Sequence, residues 1–360
     1  MSDEVSTNTP PESVLVVRLG AMGDVIHTLA AVSGLRSAFP KMRIGWVIEN
    51  RWAELLCARN TPFSGQRSLQ RPAADFVHIV DTKRWRKSIF SRETRRQFGD
   101  ALREVRDQHY EVAADFQGAL KSAFFARLAR ATTVLGFAHP REFPASIFYK
   151  CRVNAQGAHV IDQYHSLADA VAGRPLPHCE AMLPRDEEAE ACVTKKIAAL
   201  GHDFAIINPG AGWGSKQWPA ERYGEVARAL SLCGLTPIIN FGPGEQELAL
   251  EVQAASNGVS QSISCSIAEL IALTRRARLF IGGDTGPLHL AAALQVPVVA
   301  IFGPTDPARN GPYGTKSAVL RNPASTTSLS HTNTPDPGLL KISAEQVIAA
   351  ARELLRSASA

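Results

Sequence analysis

Asp24 lies in the stretch VVRLGAMGDVIHTLAA (16–31), after an apolar strand and a glycine turn, at the head of an apolar-periodic segment. That layout usually cradles a phosphate. Here, however, the glycines do not follow GxGxxG, and no Walker Lys-Ser/Thr pair comes after them. An aspartate there most often caps a helix. A carboxylate beside a bound pyrophosphate would be repelled by it, so Asp24 suits a different ligand. The chemistry that fits is a general base taking a proton from an attacking hydroxyl.

Three further turns follow strands in the second half of the chain. In GGDTGPLHLAAAL (282–294) either Asp284 or Thr285 can cap a helix whose first turn takes Pro287. Free N–H groups and the helix dipole then make an anion site, and Gly282 and Gly283 let a ligand approach the backbone. His289, one turn on, reads as a satisfied core residue or as part of that site. NPGAGWGSKQWP (208–219) offers Gly212, Ser215 and Lys216, a mobile cation beside backbone donors. This suits a diphosphate leaving group that gains charge as its bond breaks. FGPGEQE (241–247) puts Glu245 after a strand, where a carboxylate holds ribose hydroxyls in dinucleotide folds or simply opens a helix.

A second set of residues carries positive charge. RWRK (84–87) groups Arg84, Arg86 and Lys87 around Trp85, FQGALKSA (116–123) adds Gln117 and Lys121, and HPREFP (139–144) adds Arg141. Between Lys83 and Arg106 stand nine Lys/Arg against three Asp/Glu. This predicts a face that attracts an anionic substrate or surface. No nucleic-acid motif accompanies it, so no nucleic-acid partner is expected.

These residues need a scaffold of alternating strands and helices. Val14–Val17, Ile44–Ile48, Phe76–Val80, Val112–Phe116 and Thr133–Phe137 read as short buried strands, and Phe98, Leu102 and Val105, like Val160, Tyr164, Leu167 and Val171, recur at helical spacing. A Pro-rich stretch (173–188) reads as a linker. A second series follows: Phe204–Asn208, Pro237–Phe241, Leu279–Gly282 and Val298–Phe302, with a helix opening at Pro219. The reading is α/β, two doubly wound halves without a residue-level repeat, with the turns at the carboxyl ends of the strands. The expected division is a disordered tail (1–12), an N-terminal domain (13–175), a linker (176–186), a C-terminal domain (187–342) and a last helix (343–360) packing back on the first domain.

Composition excludes several classes. At 45% hydrophobic and 20% charged residues the chain is that of a soluble globular protein. The first twelve residues lack the pattern of a signal peptide. The apolar run from Gly282 to Thr305 is broken by Asp284, Pro287, His289 and Pro297, so it is not a membrane span. The six cysteines form no CxxC pair, which predicts neither disulfides nor zinc and suits a cytoplasmic location.

Taken together, LGAMGDVIHTL, DFQGALKSA, SKQWPAERY, GGDTGPLHLAAAL and FGPTDP followed by GPYG resemble the ADP-heptose:lipopolysaccharide heptosyltransferases. The likeness covers about residues 13 to 355. RWRKSIF and REFPASIFY place it nearest the heptosyltransferase I branch. The resemblance implies a GT-B fold, two Rossmann-like domains facing each other across a cleft. It implies inverting transfer of L-glycero-D-manno-heptose from ADP-heptose to Kdo of the lipid A inner core, without metal or cofactor. Asp24 then matches the base. Lys216 matches the pyrophosphate-binding lysine, Glu245 the ribose-binding acid, and Asp284, Thr285 and Gly286 the donor-binding helix start, with Gly212, Ser215 and His289 on the same side. Gly23, Arg84, Arg86, Lys87, Gln117, Lys121 and Arg141 fall to the acceptor. Where the family often carries hydroxyl residues, this chain has Gly210, Ala211 and Gly212, and also Gly20 and Ala21. Phosphate contacts would then come from backbone N–H groups or Ser215. A monomer, peripheral on the anionic inner face of the inner membrane, is expected. The alternatives are another GT-B enzyme (a hexosyltransferase or an epimerase) and a non-enzymatic nucleotide-sugar-binding protein.

Overall fold

The computed structural model describes residues 10–88, 90–200, 203–328 and 332–359. The chain forms two compact units that divide between Arg185 and Asp186. Most of the tail expected to be disordered, residues 1–9, lies outside the described residues, and β1 begins at Ser13.

The first unit runs β1 (Ser13–Val17), α1 (Met22–Ala38), β2 (Arg43–Glu49), β3 (Phe76–Val80), α2 (Thr82–Lys87), α3 (Arg92–Asp107), β4 (Val112–Asp115), α4 (Leu120–Leu128), β5 (Thr133–Phe137), β6 (Cys151–Val153) and α5 (Val160–Ala172). Its strands are all parallel, in the order β3-β2-β1-β4-β5-β6. β1 is buried along its whole length, as a central parallel strand covered on both faces must be. α1 is buried on nearly every side and packs against α5, which explains why its sequence lacks a polar stripe. α3 buries Thr94, Leu102 and Val105 and turns its charged residues outward.

The second unit runs α6 (Glu187–Ile197), β7 (Phe204–Asn208), α7 (Ala220–Leu232), β8 (Thr236–Phe241), α8 (Gln246–Ala255), β9 (Gln261–Ser264), α9 (Ile267–Thr274), β10 (Leu279–Gly283), α10 (Gly286–Ala293), β11 (Val298–Phe302), α11 (Pro307–Asn310), β12 (Ser317–Arg321) and α12 (Ala344–Ser359). Its parallel order is β12-β11-β10-β7-β8-β9. Renumbered from its own first strand this is again 3-2-1-4-5-6, the Rossmann order. The two halves thus share one topology without a repeated sequence.

That order sets where ligands go. The connection leaves one way after the first strand and the other way after the fourth, so a crevice opens at the carboxyl ends of that pair. In the first unit the pair is β1 and β4, level at Val17 and Asp115; in the second it is β7 and β10, level at Asn208 and Gly282.

The last helix packs within the second unit. Val347, Ala351 and Leu354 are buried in the core of the second unit, where α12 packs on α7, β11 and β12. The anchor comes from the lysine turn: Trp218 Nε1 donates to Ile342 O at 3.0 Å, and Arg222 Nη1 donates to Leu340 O and Ile342 O at 2.7 Å. The residues of SKQWPAERY therefore divide their work. Trp218 and Tyr223, ring centroids 4.7 Å apart, are core, and Lys216 is left partly exposed.

Candidate active site

In the first unit the chain leaves β1 through Arg18, Leu19 and a cis Gly20–Ala21 peptide and enters α1, with Gly23 second and Asp24 third in the helix. Asp24 is partly exposed, its side chain at 38%. Its Oδ2 accepts the Ala21 N–H at 3.3 Å and pairs with Arg18 Nη2 at 2.5 Å. Arg18 itself is buried, donates to Phe116 O at 2.8 Å and lies 5.4 Å from the Tyr164 ring centroid. Burial works against its charge, but Tyr164, Asp24 and Asp115 outweigh that and raise its pKa. A fixed buried cation therefore holds an accessible carboxylate at the switch point. Gly20 cannot be larger, because a Cβ there would stand 2.6 Å from Trp52 Nε1.

The β4 turn completes this end. Asp115 is fully buried and accepts from Gln117 N, Gly118 N, Ser122 Oγ and Tyr149 Oη. Burial pushes its pKa up, against the pull of those four donors. Gly118 takes φ +64° with the Arg141 N–H packed against it, a conformation that favours glycine. Gln117 Oε1 accepts the Leu19 N–H at 2.9 Å, which ties the β4 turn to the β1 turn. Glu142 ties in Arg141: its N–H donates to Gly118 O and its Oε2 accepts the Leu120 N–H at the start of α4. Lys121 Nζ lies 3.4 Å from Thr82 Oγ1, which in turn donates to Glu49 at the end of β2. Arg84, Arg86 and Lys87 on α2, and Arg141, are exposed and make no side-chain hydrogen bond or ion pair among the described residues.

In the second unit Lys216 ends a short 3-10 turn (Gly214–Lys216) after β7. Its Nζ pairs with Asp284 Oδ2 at 2.6 Å, donates to Asp284 O at 3.3 Å and lies 4.3 Å from the Trp213 ring centroid. Asp284 follows β10 and is buried, with Oδ1 on His289 Nε2 at 3.1 Å. Burial would raise its pKa, but His289 and Lys216 outweigh it and hold the carboxyl well below the usual range. Thr285 is the N-cap residue of α10, yet its hydroxyl turns back to Gly283 O and caps no helix N–H. The helix start at Gly286 is thus uncapped and partly exposed beside Lys216, the arrangement that receives an anion. His289 is buried and meets Asp284 Oδ1 through its Nε2.

Glu245 sits in the β8 turn, where its Oε2 accepts the Gly242 N–H at 2.8 Å. Its carboxylate lies over Gly210, where a Cβ would stand 2.3 Å from it, so Glu245 reaches the NPGAG turn only because that residue is glycine. Gly212 is exposed with open space around it. Ser215 is buried, and its Oγ has no hydrogen-bond partner among the described residues.

Sequence reasoning missed three parts. Arg18 stood in the quoted stretch, and its signal was a cation directly after a buried strand. The Asn208–Asn240 pair, in which Asn240 Nδ2 donates to Asn208 Oδ1 at 2.7 Å, joins the ends of β7 and β8 and gave no linear signal. The loop-like segment around 332–336 clamps the lysine turn: Ser215 N donates to Thr332 O and Asp336 N to Ser215 O. Among the described residues no group of three or more His, Cys, Asp or Glu side chains is placed to hold a metal, and no helix is long and apolar enough to cross a membrane.

Comparison with known proteins agrees with this geometry. The chain is 32% identical over 308 residues to lipopolysaccharide heptosyltransferase 1 of Pseudomonas aeruginosa, covering 84% of this chain and 81% of that one. Its fold matches the solved structure of the E. coli heptosyltransferase WaaC with ADP, TM-score 0.76 at 25% identity, over 95% of this chain and 99% of that one. It also matches the same enzyme with ADP-2-deoxy-2-fluoro heptose, TM-score 0.74 at 25% identity over the same shares. Residues 98–337 match the family described as glycosyltransferase family 9 (heptosyltransferase), and the chain belongs to it.

Proposed function

We propose that this glycosyltransferase moves L-glycero-D-manno-heptose from ADP-heptose to a Kdo hydroxyl of the lipopolysaccharide inner core, with inversion. Asp24 is the base. It takes the proton of the acceptor hydroxyl as that oxygen bonds to the anomeric carbon. The bond from that carbon to the diphosphate oxygen breaks on the opposite face, and ADP leaves with the electron pair. Lys216, released in part from Asp284, and the uncapped N–H groups of α10 stabilise the charge that develops. Ser215 Oγ is a spare donor for the same phosphates. Glu245 holds ribose hydroxyls, and Lys121, Arg141 and the α2 cations receive the anionic acceptor.

The observation that carries this reading is Asp24: a partly exposed carboxylate at a switch point, held at 2.5 Å by a buried arginine. A capping aspartate needs no buried cation behind it. Mass spectrometry of the product from ADP-heptose and a Kdo–lipid A acceptor is the test. One added heptose is expected, and NMR should show the anomeric configuration inverted. Donor consumption without an acceptor-linked product would overturn the proposal in favour of an epimerase or hydrolase.

A further inference from the structure

α4 and the 3-10 turn Phe143–Phe148 pack together in the first unit, with the Phe124 and Phe148 ring centroids 5.9 Å apart. Their buried sides serve the core through Ala123, Phe125 and Ala145. Their outer sides are also apolar. Phe143 and Ile147, four residues apart, are 77% and 69% exposed, and Leu120 and Phe124, four apart on α4, are 44% and 47% exposed. α4 and the neighbouring 3-10 turn thus both present bulky side chains to solvent, where an ordinary surface carries scattered ones.

The segments that carry or adjoin these side chains are rich in exposed cations. Residues 82–87, 120–127 and 141–147 contain seven Lys and Arg and one acid, Glu142. That carboxylate accepts the Leu120 N–H at the start of α4. α2 joins the same face through Lys121 and Thr82, and through Trp85, whose ring packs on Phe98, which packs on Phe125. The pattern is a bulky apolar centre with a basic rim. That is the composition of a surface that lies on an anionic bilayer, with the apolar side chains at the acyl boundary and the cations at the headgroups. A soluble anion would need only the rim, and a neutral apolar partner would be opposed by it.

We propose that this face, centred on Leu120, Phe124, Phe143 and Ile147, seats the protein on an anionic membrane surface. The inference deepens the acceptor reading and rests on it for its purpose: the patch adjoins the β4 turn, so a lipid-anchored acceptor would present its head group close to Gln117 and Asp24.

The test is co-sedimentation of the full chain with vesicles of phosphatidylcholine and phosphatidylglycerol at 3:1, and of phosphatidylcholine alone. Wild type should bind the anionic vesicles and hardly bind the neutral ones. The double substitution Phe143→Ser and Ile147→Ser should weaken anionic binding by about tenfold or more, because two large side chains lose their burial. These side chains are exposed, so the thermal midpoint should stay as in wild type. Phe143→Trp supplies a gain of signal: its fluorescence should be quenched by brominated lipids. Unchanged vesicle affinity of the double variant, or an unquenched Trp at 143, would overturn the inference. So would a wild-type dimer that the double variant converts to a monomer, which would assign the face to a second copy. Transfer to a Kdo acceptor without its lipid separates the two readings. The double variant should retain it. Its absence in wild type, with vesicle binding intact, would remove the acceptor reading and leave the surface standing.

Discussion

After β1 the first unit buries a cation, Arg18, and shows solvent a carboxylate, Asp24. After β7 and β10 the second unit buries a carboxylate, Asp284, and aims a partly exposed cation, Lys216. The topology at both places is the same Rossmann switch point. Only the polarity is inverted. In each pair the buried partner holds the working group in place and offsets its charge. The fold therefore supplies a crevice at both places, and in the proposed reading the side chains at the strand ends make one a base and the other an anion holder. The second aspartates sharpen the contrast. Asp115, at the end of β4, meets neutral donors and burial raises its pKa; Asp284, after β10, meets Lys216 and His289 and is lowered.

Four experiments test this contrast. The largest effect is expected from Asp24→Ala, which should lower kcat by about 10²–10⁴-fold, the usual worth of a general base, with ADP affinity unchanged by calorimetry. An active variant would reduce Asp24 to a helix cap. Lys216→Ala should mirror it from the other unit. Donor kcat/KM should fall by about 10²–10³-fold, as when one charge-stabilising donor is removed, and ADP binding should weaken as well. If the two variants shared one kinetic signature, the division of labour would be wrong.

Smaller, and aimed at the buried partner, is Arg18→Met. It should cost about tenfold or more in kcat with ADP binding intact, while Arg18→Lys, which keeps the charge but not the fork, should fall between it and wild type. Equal rates in all three would leave Arg18 a core residue.

The smallest effect is on stability against pH. A depressed carboxyl stabilises the fold above its unfolded pKa, about 4, and that contribution is lost as pH falls through the folded value. Asp284 has this sign. A raised carboxyl favours the fold at low pH and loses that contribution as pH climbs from about 4 toward the raised value. Asp115 has that sign. Unfolding followed against pH should therefore show a shallower acid loss in Asp284→Asn and a shallower decline above pH 4 in Asp115→Asn. Matching slopes would show the two carboxylates to be alike.

Legibility followed burial. The strands read from the sequence, β1, β2, β4, β5, β7, β8, β10 and β11 among them, are mostly covered on both faces, and continuous apolar runs mark such strands. β6, β9 and β12 went unread. They lie at sheet edges, are three to five residues long, and half-expose sequences such as QSIS. At the site, residues flanked by glycine were visible because glycine marks where a chain turns or a ligand comes near. Arg18, the Asn208–Asn240 pair and the clamp of Thr332 and Asp336 on Ser215 were not.

The amino-acid order alone determined the α/β class, the two halves, the family and the turns that carry Asp24, Lys216, Glu245 and Asp284, because strand burial and glycine turns are local in the chain. Tertiary structure decided which charges pair, where α12 docks, and that apolar side chains on two separate segments form one face. Those facts depend on contacts between residues far apart in sequence, and a linear pattern carries no record of them.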